Sequence, residues 1–145
     1  MTYIDGFVIA VPNANRQKFI DHANLCDAVF MEEGATRILE CWQDNVEKGH
    51  TTDFFGAVDC QDGESVAFSW IEWPDREARQ RGMARAEELM KTDDRLSPER
   101  NPMPFDGARM IYGGFEPLLD DGAPVPGGYV QGFIVPVPEG NRDVY

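Results

Sequence analysis

Tyr3–Pro12 reads YIDGFVIAVP, and most of it returns at Tyr129–Pro138 as YVQGFIVPVP. Extended to Phe19 and Tyr145, the copies share seven identities in seventeen positions, among them Gly6/Gly132, Phe7/Phe133 and Arg16/Arg142. The stretch is β-branched and aromatic and is stopped by a proline, which marks a strand. A strand that opens the chain and recurs near its end marks an internal repeat: one complete unit followed by the first strand of another. Residues 1–118 are therefore expected to form one domain. Residues 119–128, rich in Gly, Pro and Asp, read as a linker, and 129–145 as an extra strand.

Working outward from the first copy, Asn13 or Asn15 is placed to cap a helix. Its Phe19, Ala23, Cys26 and Phe30 form one apolar stripe, and Gly34 closes it. Thr36–Asp44 (TRILECWQD) is a second strand, and Phe54, Phe55, Ala57 and Val58 suggest a short helix under the sheet. Ser65–Trp73 (SVAFSWIEW) is a third strand. Pro74 and Asp75 open a helix to Thr92, in which Ala78, Gly82 and Ala86 form a small-residue stripe suited to close packing on a sheet. Ala108–Phe115 (ARMIYGGF) is the fourth strand. The order βαββαβ predicts a ferredoxin-like α+β fold, an antiparallel sheet with two helices on one face.

Alternation along the strands separates two sets of side chains. Ile4, Gly6, Val8, Ala10, Leu39, Cys41, Ala67, Ser69 and Ile71 are mostly small and are expected beneath the helices. The second set is bulky and aromatic: Phe7, Ile9, Ile38, Trp42, Phe68 and Trp70, with Asp5, Glu40 and Arg109 among the rings. Two helices cover one face, so the aromatic set is expected to be open, and an apolar patch of that size marks an interface or a ligand site. Pairing two such faces predicts a homodimeric α+β barrel with a cavity lined by Asp5, Glu40, Trp42, Phe68, Trp70 and Arg109.

YIDGFVIAVP, GATRILECW, SVAFSWIEW and MPFDGARMIYGGF, in that order over Met1 to about Leu118, resemble the bacterial family called domain of unknown function 1428. The resemblance implies the dimeric α/β-barrel superfamily, which includes small monooxygenases, isomerase-like enzymes and members without known activity. Gln131 stands in the second copy where Asp5 stands in the first, so a second unit would not duplicate chemistry that needs this carboxylate.

Each candidate residue has a bland reading beside its functional one. Asp5, Glu40 and Arg109 are an acid/base or anchoring cluster in a cavity, or ion pairs across a sheet or interface. Asp106, in the loop before the fourth strand, is a general base at the barrel mouth or a turn residue. Trp42, Phe68 and Trp70 stack on a flat ligand or fill a core. Cys41 reads as a buried thiol, and His22 and His50 as surface or capping residues. Cys26, Cys41 and Cys60 lie in no metal-ligand spacing, so reduced thiols and no metal or cofactor are expected. A formal charge of −13 disfavours nucleic acid. With no apolar run of membrane-spanning length and no leader pattern at Met1, a soluble cytoplasmic protein is expected. Three functions remain open: binding of a small, partly aromatic molecule, cofactor-independent monooxygenase or isomerase chemistry with a carboxylate base, and a purely structural dimer.

Overall fold

The computed structural model describes all 145 residues. Strand β1 (Tyr3–Pro12) is followed by helix α1 (Arg16–Glu32), β2 (Arg37–Trp42), a single turn α2 (Phe54–Ala57), β3 (Glu64–Trp73), α3 (Arg76–Thr92) and β4 (Ile111–Phe115). The sheet runs β2-β3-β1-β4 with every pair antiparallel. This is the expected ferredoxin-like arrangement, with β1 and β3 central because they are the longest apolar strands.

Helix boundaries follow local chemistry, with one departure. Asp75 caps α3 by accepting from the Ala78 amide at 2.7 Å. Gly34, at φ +110°, ends the α1 turn in a conformation that disfavours a side chain. Neither expected asparagine caps α1: the Asn15 amide donates to the Pro104 carbonyl at 2.9 Å, and Asn13 accepts from the Ser65 hydroxyl at 2.5 Å. Both stitch the start of α1 to distant chain instead.

The fourth strand is shorter than expected. Asp106 accepts from the Ala108 amide at 3.0 Å and winds Gly107–Arg109 into a 3-10 turn, so the strand begins only at Ile111 and Arg109 never joins it.

Strand pairing corrects the expected division of faces. Asp5 lies opposite Ile71, Ile9 opposite Ala67, Ile71 opposite Ile38 and Phe7 opposite Tyr112. Directly paired residues share a face. Tyr3, Asp5, Phe7, Ile9 and Val11 therefore stand with Ala67, Ser69, Ile71 and Trp73, and this is the helix-covered side. The other side combines Ile4, Gly6, Val8 and Ala10 with Val66, Phe68 and Trp70. Near the middle of the sheet, Phe7 and Ile9 thus stand beside Ala67 and Ser69 on one face and Phe68 and Trp70 beside Gly6 and Val8 on the other, a mixing that the separate alternation of each strand does not reveal.

Under the helices, Phe19 of α1 packs on Ile9, Val11 and Ala67. Trp73 is fully buried with Ile71 and Ala35. Gly82 lets α3 settle onto that indole: a Cβ there would stand 2.3 Å from Trp73 Cζ3. The small-residue stripe does what its spacing suggested, against a large residue rather than a small floor.

The opposite face is covered in part. Val58, which follows α2, closes over Val8, Ala10 and Val66, while Phe54 meets Phe68 edge-on with centroids 5.8 Å apart. The remainder faces the C-terminal segment.

Candidate functional site

The second copy of the opening motif forms no strand. From Tyr129 it crosses the open face as irregular chain and ends in the 3-10 turn Glu139–Val144. Pro136 and Pro138 lack amide protons, and a path across a sheet face, unlike one along its edge, meets no free backbone partners. Three points hold it. The Tyr129 hydroxyl donates to Asp44 at 2.8 Å, Arg142 lies 3.8 Å from Glu116, and Gly132 rests on the Phe68 ring so closely that a Cβ would come within 2.9 Å of it.

Chain and sheet border two hollows that are open to solvent. The first, about 1020 Å³, lies over β1 and β4 and is walled by Ile4, Phe68, Trp70, Ile111, Phe115 and Phe133, with Glu139 and Arg142 among its few charged neighbours. The second, about 1340 Å³ and more polar, lies over β2 and is bordered by Glu40, Trp42, Phe68, Trp70 and Tyr129. Phe68 and Trp70 border both, with ring centroids 5.9 Å apart. The Trp70 indole donates to Glu72 at 2.9 Å, and Glu72 also accepts from Arg37 at 3.1 Å, so this ring is pinned.

The remaining expected site residues lie elsewhere. Asp5, 1% exposed, points to the helix side. It accepts from the Trp73 indole at 2.9 Å and from Arg79, whose terminal nitrogen is 2.7 Å away. Arg79 is the partner that alternation along the strands does not reveal: it stands on α3 among Arg76, Arg81 and Arg85, and only the approach of α3 to the sheet selects it. Arg109 is held by Glu64 at 2.6 and 2.8 Å, by Asp106 at 3.2 Å and by the Asp59 carbonyl at 2.8 Å. Its guanidinium holds the Glu64 carboxyl down to about 2. Asp106 is thus a cap and a salt-bridge partner.

Glu40 and Trp42 border the second hollow, but register turns both side chains toward the helix side. Trp42 meets Phe19 with centroids 6.1 Å apart and lies under the Arg16 guanidinium at 5.5 Å. Glu40 is exposed on the edge strand, and its carboxyl end accepts from the buried Ser69 hydroxyl. Burial of that end, reinforced by the nearby Asp27 carboxylate and opposed by the Ser69 bond, pushes it up to about 7. Phe68 and Trp70 alone among the six expected lining residues aim at the more apolar hollow.

The model of the family described as Protein of unknown function (DUF1428) matches residues 2–107. The chain is 45% identical over 121 residues to Uncharacterized protein YbaA of Escherichia coli K12, covering 83% of this chain and 100% of that protein. It matches YbaA of Shigella flexneri to the same extent. Among solved structures, a dimeric ferredoxin-like protein from an uncultured marine organism superposes with a TM-score of 0.54 at 10% identity, over 83% of this chain and 100% of that one. That likeness concerns the fold. The C-terminal segment over the open face lies beyond the matched family region.

Proposed function

Because the chain belongs to the DUF1428 family, whose matched region spans β1, β2, β3 and the helices between and after them, we propose that it is a homodimer that takes up a small, partly aromatic molecule between the open sheet face and the C-terminal segment. The observation that carries this reading is the hollow of about 1020 Å³ walled by Phe68, Trp70 and Phe115. A concave, mostly apolar site of this size with a few polar groups at one end is what a small-molecule pocket requires. Phe115, Phe133 and Ile134 remain 58%, 74% and 62% exposed, an apolar surface that a second copy of the chain would cover.

Acid–base catalysis is the weaker reading, because both carboxylates expected to serve as base are engaged: Asp5 with Arg79 and Trp73, Asp106 with Ala108 and Arg109. The proposal includes no nucleic-acid partner, since phosphate backbones are repelled by a chain of net charge −13. It places the protein in the cytoplasm with its three cysteines free. No helix is long and apolar enough to cross a membrane.

Titration with a neutral apolar fluorophore such as N-phenyl-1-naphthylamine tests the pocket. Saturable uptake with quenching of tryptophan fluorescence is expected, weakened about tenfold in Phe68→Ala, the loss of one buried aromatic anchor. Absence of saturable uptake by the folded protein returns the face to a purely structural dimer surface.

A further inference from the structure

On the helix side, three side chains join α1 to the loop that follows α3. His22 and Cys26 stand four residues apart and so share one face of α1. Asn101, 8% exposed, reaches them from the loop. Its Oδ1 is 2.8 Å from His22 Nδ1, its Nδ2 donates to Cys26 Sγ at 3.5 Å, and His22 Nε2 is 3.6 Å from the same sulfur. An amide oxygen only accepts, so Nδ1 carries the imidazole proton and Nε2 presents its lone pair to the thiol. The edge-on Phe105 ring, with its centroid 5.9 Å away, steadies the imidazole. Nucleophile, base and orienting group are thus in the order that thiol activation needs. Cys41 and Cys60 have no histidine beside them.

We propose that Cys26, His22 and Asn101 form a thiol–disulfide exchange site for small cationic disulfides, with Cys26 as nucleophile, His22 as base and Asn101 as the residue positioning both. Selectivity for cations comes from the surroundings. Asp27 adjoins Cys26 and Glu40 faces it from β2, and no basic side chain offsets them. Burial, joined by these two carboxylates, keeps the thiol above its usual range despite the Asn101 bond, and burial lowers the imidazole. Both partners are therefore neutral at pH 7, and the proton moves only as attack begins. His22 Nε2 takes the Cys26 proton while Sγ attacks one sulfur of the disulfide. A protein–ligand S–S bond forms and the ligand's own S–S bond breaks. The departing sulfur keeps the electron pair and takes the proton from His22, leaving as a free aminothiol. The Cys26 sulfur rises from the thiol to the disulfide level as the departing sulfur falls from the disulfide to the thiol level, and the ligand's other sulfur, now bonded to Cys26, does not change.

Cystamine and the anionic 3,3′-dithiodipropionate, each normalised to its rate with a free cysteine peptide, test this on the full chain by mass mapping of the three cysteines. Cystamine is expected to modify Cys26 about tenfold or more faster than Cys41 or Cys60, and His22→Gln to remove that advantage. The anionic disulfide is expected to show no such preference above pH 7, where Asp27 and Glu40 are ionised. With the neutral bis(2-hydroxyethyl) disulfide, which the carboxylates do not attract, the Cys26 rate in the unmodified chain should follow loss of a proton below the ordinary histidine range rather than in the thiol range, which decides the matter even if His22→Gln fails to fold. Equal rates at the three cysteines, a rate that follows thiol ionisation, an unchanged rate in folded His22→Gln, or equal preference for the two disulfides would overturn the proposal.

Discussion

Asp5 and Glu40 are both carboxylates at mid-strand positions, yet they behave in opposite ways. Asp5 is buried among donors and balanced by Arg79, so removing either partner strands a charge, a loss of about 3 kcal/mol or more in comparable buried pairs. Glu40 has no cation against it. Its folded value of about 7 and that of Asp27, about 6, lie above their ordinary 4.5 and 3.8. A carboxyl raised in the folded state contributes stability that is complete below the unfolded value and lost as pH rises through the folded one. These two groups therefore make the protein less heat-stable between about pH 4.5 and 7. Glu40→Gln keeps a neutral partner for Ser69, so its melting temperature should fall less than that of the unaltered chain between pH 5 and pH 8, as read by circular dichroism. A parallel decline in both proteins would show that Glu40 is ionised without cost.

Among the elements, α3 and the C-terminal segment both depend on one glycine meeting one ring. Gly82 admits Trp73 into the helix surface, and Gly132 admits Phe68 into the segment. The consequences differ because α3 is part of the core, whereas the segment is mostly exposed and has no strand pairing. Gly132→Val should lift the segment from Phe68 and raise its cleavage rate by a nonspecific protease about tenfold, while leaving global stability within about 0.5 kcal/mol, as for other changes away from the core. An unchanged cleavage rate would mean the segment is held by Tyr129 and Arg142 alone. The repeat was visible in the sequence; its failure to form a strand was not. A recurring motif states what local conformations are compatible, whereas a strand also needs an edge whose backbone groups are free.

For the whole molecule, the two apolar faces of the sheet receive different treatment. Helices cover most of one, leaving Tyr112 exposed at its edge, and α2, Val58 and the C-terminal segment only partly shield the other. A homodimer through the second face is expected to sediment as such at micromolar concentration. Phe133→Asp, placing a charge on the exposed phenylalanine of the segment, should weaken association about tenfold or more. A chain that sediments as a monomer with Phe133 intact would leave this face to the segment alone.

Element order and type were legible without coordinates, because alternation, helical spacing, Pro12, Gly34 and the Asp75 cap are properties of neighbouring residues. That Phe68 and Trp70 lie on the face away from the helices was legible on the same grounds: alternate large rings on the long, apolar third strand. The composition of each face was not legible. Opposing Asp5 to Ile71 rather than to its neighbour fixes which alternate set meets the helices, and a slip of one residue would exchange them all. That register is set by long-range pairing between strands separated by a helix, a strand and a loop. For the same reason Arg79 against Asp5, Glu64 against Arg109, and Asn101 across His22 and Cys26 came only with the tertiary structure. Sequence determines what each segment is able to be; which segments meet, and through which side, is decided by packing between residues far apart in the chain.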